Sequence, residues 1–295
     1  MKPVQHVAII GFGEVGQRLA ADLLPRGVKV SAFDVRFEAA DSAPSRAVQK
    51  MADVRRGTCA RDAIADCQMV ISAVTAGQSQ IAAVVVANDI EDGVWFVDLN
   101  SVSPMTRAAS ASEITTAGGC FVECAVMSPI QPHGIGSPML LGGEHATDFY
   151  PLAQQLGFER ASVYSSQLGR ASAAKMCRSV IIKGLEALVT ESMLSARQHG
   201  VESIVIDSLE NLLPGVDWTQ HAQYLISRSI AHGMRRAEEM QQVVQTLQEV
   251  NVAPLMSEAC ATRQAMAPRF ADASATEPLA AMLDQILNRK DIDLL

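Results

Sequence analysis

Residues His6 to Asp34 read HVAIIGFGEVGQRLAADLLPRGVKVSAFD, and no other stretch restricts the fold of this chain as strongly. An apolar run, Val7 to Ile10, stops at Gly11-Phe12-Gly13-Glu14-Val15-Gly16. A helical pattern follows, with Leu19, Leu23 and Leu24 on one face and Arg26-Gly27 as its stop. A second apolar run then ends in Asp34. Each glycine has a separate task in such a unit. Gly11 permits the tight turn after the strand, Gly13 lets backbone approach a pyrophosphate, and Gly16 lets the helix pack closely on the sheet. The helix N-terminus offers unpaired N–H groups and a positive dipole end to the phosphates. Asp34 falls where a carboxylate accepts hydrogen bonds from the adenine ribose. Strand, glycines, helix and distal acid in this order predict a dinucleotide site.

Alternation continues through the first half. The spacing predicts strands near Thr58, over Met69–Val74, Val94–Leu99, Cys120–Met127, Met139–Gly142 and Ala161–Tyr164. Near-continuous apolar runs such as MVISAV suit parallel strands buried on both faces. Ser103-Pro104 reads as a helix N-cap and first helical residue, and a helix over His145–Leu156 stops at Gly157. The expected fold is therefore α/β: an N-terminal doubly wound sheet over residues 1–167. From Leu168 to His199 there is no proline, which predicts one helix about 45 Å long. Every later segment reads helical, so residues 168–295 are expected to form an all-α domain for substrate and dimerisation, with the long helix joining the two. Met234, Ala237, Met240, Val244 and Leu247 make an apolar stripe, and Asn288 to Leu295 are expected to be peripheral.

Composition excludes several classes. A net charge of −8 argues against a nucleic-acid surface. No apolar run approaches the roughly 20 residues that span a bilayer, and the first strand begins too early to follow a cleavable leader. Six scattered cysteines without ligand spacing predict free, buried thiols in a reducing cytoplasm and no metal site.

Ligands of open α/β sheets bind beyond the carboxyl ends of the strands. Val74 and Thr75, Asn100, and Met127-Ser128-Pro129 each follow a strand and are expected there. His133, in the Pro- and Gly-rich loop after them, reads as a solvated side chain. The catalytic candidate is Lys175 in GRASAAKM, where small residues would let the start of the long helix approach a ligand closely. Ala171, Lys175 and Ser179 share a helix face, with Arg178 beside them. A lysine serves as a base once its pKa falls well below about 10.4, through desolvation or a nearby positive charge. Arg178 is a candidate carboxylate clamp. Lys183 lies near the same face. Arg235 and Arg236 face Glu238 and Glu239 at i+3 and i+4, which reads as a solvated, paired surface. His232 is a candidate to enter the site from the helical domain.

VAIIGFGEVG, VDLNSVSP and GRASAAKM opening a long helix together resemble the β-hydroxyacid dehydrogenase superfamily, which includes 3-hydroxyisobutyrate and 6-phosphogluconate dehydrogenases. KGLEAL and AHGMRRAEEM resemble a poorly characterised branch with a distinct helical C-terminal domain. The resemblance implies a Rossmann domain, NAD as cofactor and Lys175 as the catalytic lysine, with Gly169 and Ala171 as the small residues before it. Asp34 matches the acid that favours NAD, while Arg36, just past the strand, suits the 2′-phosphate of NADP. Two positions depart from the pattern. Ser179 replaces a substrate-binding asparagine, and Glu123-Cys-Ala-Val-Met-Ser-Pro129 replaces a loop close to DAPVSGG. The expected activity is oxidation of a small hydroxy acid, decarboxylating in some members, by a cytoplasmic homodimer. An imine reductase and a non-catalytic dinucleotide sensor are the alternatives.

Overall fold

The computed structural model describes residues 4–211 and 213–289; of the terminal stretch expected to be peripheral, 290–295 lie outside it. Two compact units divide after Met176. The first is built on strands β1 (His6–Ile10), β2 (Lys29–Phe33), β3 (Val54–Arg56), β4 (Met69–Ser72), β5 (Trp95–Asp98), β6 (Cys120–Val126), β7 (Met139–Gly142) and β8 (Ala161–Ser165). Their order in the single sheet is β3-β2-β1-β4-β5-β6-β7-β8. The first six strands in that order are parallel, β7 runs antiparallel to β6, and β8 is parallel to β7. The reversal has a local cause. Between β6 and β7 lies only a single 3-10 turn, Gly134–Gly136, and without an α-helical crossover the returning strand pairs antiparallel. The strand expected near Thr58 is β3, which ends two residues earlier.

Helices α1 (Glu14–Leu23), α2 (Ala43–Lys50), α3 (Ala60–Ile64), α4 (Ser79–Ala87), α5 (Pro104–Thr116) and α6 (Ala146–Leu156) accompany the strands. Alternate residues of β1 feed separate cores. Val7 and Ile9 pack with Leu19, Leu23, Phe149 and Leu152, while Ala8 and Ile10 join Val70, Val86, Phe96 and Ile114. Both faces of the sheet are thus covered, as the apolar runs require. Ser103 caps α5, its Oγ accepting from Thr106 N at 3.2 Å, with Pro104 as the first helical residue.

Helix α7 (Arg170–His199) belongs to both units, because the division falls inside it. The domain boundary drawn at residue 167 therefore differs from the boundary of compactness. The first two turns of α7 are held by side chains of the sheet unit, and sequence pattern does not register such contacts. The second unit continues with α8 (Glu202–Ser208), α9 (Trp218–Gln248), α10 (Leu255–Met266) and α11 (Leu279–Leu287). Its core gathers Met193, Leu194, Trp218, Ile226, Phe270 and Leu283. Two expectations for α9 are corrected. Met234 is 58% exposed and leaves the apolar stripe, and Arg236 is buried and paired with Glu186 of α7. Arg235 makes the expected i,i+4 pair, with Glu239 at 3.0 Å. Among the described residues no helix is long and apolar enough to cross a membrane.

His6 supplies a pH test of the sheet unit. Its Nε2 is hydrogen-bonded to Ser31 Oγ at 2.7 Å, and the Ser31 hydroxyl donates to the Ala63 carbonyl at 2.5 Å. Burial holds the imidazole below its ordinary 6.5, against a hydrogen bond with the Asp66 backbone that acts the other way. The unfolded chain then binds a proton that the native state refuses, so the stability is complete above about 6.5 and declines as pH falls through the native value. The melting temperature should drop between pH 7 and pH 5, and His6→Gln should flatten that part of the profile. An equal drop in the variant would remove His6 as its source.

Candidate functional site

The glycine loop leaves β1 at the carboxyl edge of the sheet. Gly11 has φ +95°, and a Cβ there would overlap the Ala73 carbonyl oxygen beyond β4. At Gly16 a Cβ would overlap the Gly11 carbonyl oxygen, so only glycine lets α1 start this close to the loop. A Cβ on Gly13 would meet nothing within 4 Å, which leaves its face open for a ligand's phosphates. Gly13 caps α1 without a side chain, and Glu14 and Val15 are exposed and half-buried in the first turn. Their N–H groups and that of Gly16 are the ones available to an anion. Phe12 differs in role. Its ring is in the core beside Phe37, and its N–H donates to Asp34 Oδ2 at 2.8 Å.

Asp34 therefore does more than await a ribose. Its second oxygen accepts from Arg36 N at 2.8 Å, so one carboxylate ties the end of β2 to the glycine loop. Arg36 is exposed. Asn100 is likewise engaged within the protein: Oδ1 accepts from Val74 N at 2.8 Å, and Nδ2 donates to Ser72 and Ser79 at 2.9 and 3.2 Å. Asn100 thus sets the loop carrying half-buried Val74 and exposed Thr75. An open phosphate face, a first turn of uncommitted N–H groups and an acid at the end of β2 fit a dinucleotide.

The loop after β6 begins with Met127, whose N–H donates to the Pro138 carbonyl at 2.9 Å. The Ser128 hydroxyl donates to the Pro129 carbonyl at 3.2 Å, and Pro129 is exposed. The loop is latched to α1, since Arg18 donates to the Gln131 carbonyl at 2.6 Å and Asp22 accepts from Ile135 N at 2.8 Å. His133 is exposed.

Lys175 is half-buried in the sheet unit. It lies within electrostatic reach of Cys124 on β6, whose thiol burial pushes up to about 12, against the pull of Lys175 and Arg107. Such a thiol stays protonated and inert. Cys67 and Cys260 are also buried, whereas Cys59 and Cys177 are exposed, which corrects the expectation of uniformly buried thiols.

Sequence pattern did not single out the polar cluster beneath Lys175. Arg107, Asp98 and Glu123 are all at most 1% exposed. Arg107 pairs with the Asp98 carboxylate, donates to the Asp98 and Asn100 carbonyls at 3.1 and 2.5 Å, and donates through Nε to Ser172 Oγ at 3.1 Å. The Glu123 carboxylate accepts from Gly169 N at 2.9 Å and Ser172 N at 2.5 Å. An acid in the apolar run VECAV was the available signal.

Arg178, Ser179 and His232 belong to the helical unit: Arg178 is exposed, His232 half-buried and Ser179 buried. Ser179 accepts from Lys183 Nζ at 3.0 Å, and that ammonium pairs with Glu239 at 2.8 Å. Lys183 is thus bound within the helical core. Burial pushes the neighbouring Glu186 carboxyl up, opposed by Arg236 and Lys183. Among the described residues no group of three or more His, Cys, Asp or Glu side chains could hold a metal ion.

Fold and site together define a nicotinamide-dinucleotide-binding protein with a Rossmann unit. Residues 6–153 match the NAD-binding domain of 6-phosphogluconate dehydrogenase, and the chain belongs to that family. Residues 196–266 match a domain of unknown function, DUF1932. A conserved hypothetical protein from Sinorhizobium meliloti is 31% identical, with 96% of this chain and 97% of that one covered and a TM-score of 0.69. A conserved protein of unknown function, described as structurally similar to 3-hydroxyacid dehydrogenases, is 32% identical over 90% of this chain and 98% of its own, with a TM-score of 0.65. A 3-hydroxyisobutyrate dehydrogenase from Pseudomonas aeruginosa is 21% identical over 72% of this chain and 71% of its own.

Proposed function

We propose that the protein is an NAD(P)-dependent oxidoreductase that oxidises a small hydroxy acid, with Lys175 as general acid/base. The observation that carries this reading is that Lys175 shares a compact unit with the dinucleotide loop, on a helix start held to the end of β5 and the middle of β6. The nicotinamide supplies the hydride acceptor when bound. The backbone of Gly13, Glu14, Val15 and Gly16 would hold its pyrophosphate, and Asp34 would accept from the ribose. Lys175 takes the hydroxyl proton as the carbinol carbon is oxidised. Where the product is a β-keto acid that loses CO2, Lys175 returns that proton to the enolate carbon. Met127, Ser128 and Pro129 border the substrate, and Arg178, Ser179 and His232 are its candidate contacts from the helical unit.

Two measurements test this. A panel of hydroxy acids followed by nicotinamide absorbance should show turnover with at least one carboxylate substrate. Reduction of cyclic imines with NADPH, and no hydroxy-acid turnover, would replace the assignment with an imine reductase. Dinucleotide binding without turnover on either panel would leave a sensor. NAD should raise the melting temperature more than NADP, because Asp34 repels a 2′-phosphate. A ligand at a hundredfold its Kd adds about 2.7 kcal/mol. A larger shift with NADP would give the decision to Arg36. The helical unit exposes Ile181, Leu188, Ile204 and Leu255, which supports a homodimer. Sedimentation as a monomer alone at micromolar concentration would refute it.

A further inference from the structure

We infer that Glu123, together with Arg107, positions Lys175 by seating the first turn of α7. The inference rests on the proposed role of that lysine. The first N–H groups of a helix have no partner within it, and its N-terminus is the positive end of the dipole. Glu123 meets both conditions from another element, since its two carboxylate oxygens take Gly169 N and Ser172 N. Arg107 takes the Ser172 hydroxyl and also holds the Asp98 carboxylate and the Asn100 carbonyl. Asn100 in turn holds Val74 N. One buried knot thus joins β5, α5, β6, the loop after β4 on the dinucleotide side and the start of α7. Lys175 follows Ser172 by three residues, so its register against those loops is set by this knot. Glu123 and Arg107 touch no reacting atom in this scheme and act through the helix.

Glu123→Gln keeps the side chain's shape but must turn an NH2 toward one of the two backbone donors. The full chain is assayed by amide hydrogen exchange and by competitive acetylation, in which exposed Lys29 and Lys50 are internal references. Exchange at residues 172–176 should rise at least tenfold, and acetylation of Lys175 relative to the references should change at least threefold. NAD affinity should stay within threefold. With any hydroxy acid turned over, kcat should fall at least tenfold while the cofactor KM stays within threefold. Ser172→Ala, which removes only the Arg107 Nε acceptor, should move each readout in the same direction by less, and it carries the test should Glu123→Gln not fold. Unchanged exchange and labelling in the folded variants would overturn the inference, even with Lys175→Met inactive. A loosened α7 with full turnover would overturn it through the lysine's role instead.

Discussion

Lys175→Met should lower the rate of the chemical step by about 100-fold or more while leaving dinucleotide affinity within a small factor. Methionine keeps much of the length and apolar stem of lysine but removes the nitrogen proposed to carry the substrate's proton. The proposed pyrophosphate contacts fall on Gly13 to Gly16, which the substitution does not touch, so the melting-temperature shift caused by NAD should survive. Pre-steady-state turnover with a substrate from the hydroxy-acid panel is the measurement. A fall in kcat and kcat/KM by similar factors would indicate an interaction made in the transition state. Near-native turnover would remove Lys175 from the mechanism and leave the dinucleotide site standing.

Arg107→Met should be the most destabilising single change in the sheet unit. Arg107, Asp98 and Glu123 are all at most 1% exposed, and one cation serves both carboxylates. Its removal leaves two buried acids without their cation. Breaking a buried pair by deleting one partner costs about 3–5 kcal/mol. For a unit of this size that corresponds to a melting temperature roughly 6–20 °C lower. Asp98→Asn in the same chain removes one orphaned charge and should recover part of the loss, because contacting residues are not additive. A loss below about 1 kcal/mol would show that the cluster is not held together by its charges.

The dinucleotide half of the site was legible because its chemistry is local. Gly11, Gly13, Gly16 and Asp34 occur within one strand-helix-strand unit; Gly11 and Gly16 answer constraints from the adjoining strand and from the loop itself, and Gly13 leaves its face open. The parallel strands were legible for a similar reason: burial on both faces leaves an apolar run with no gap. Other features depended on distant partners. Asn100 read as a cofactor contact, and the sequence did not show that its side chain also holds Val74, Ser72 and Ser79. Arg236 read as a surface charge because Arg235 and Arg236 face Glu238 and Glu239 at i+3 and i+4, yet its partner is Glu186, on a different helix. The direction of β7 depended on the missing crossover helix, and periodicity does not encode strand direction.

The sequence by itself determined the α/β class, the dinucleotide loop, the long helix after it and the lysine on that helix, because these follow from residue spacing over short stretches of chain. Only the tertiary structure decided how α7 begins. Glu123 caps it from β6, and Arg107 compensates from α5, across 46 and 65 positions of chain. A lone acid in an apolar strand is costly until a donor reaches it, and which donor does so is settled when the sheet and helices pack.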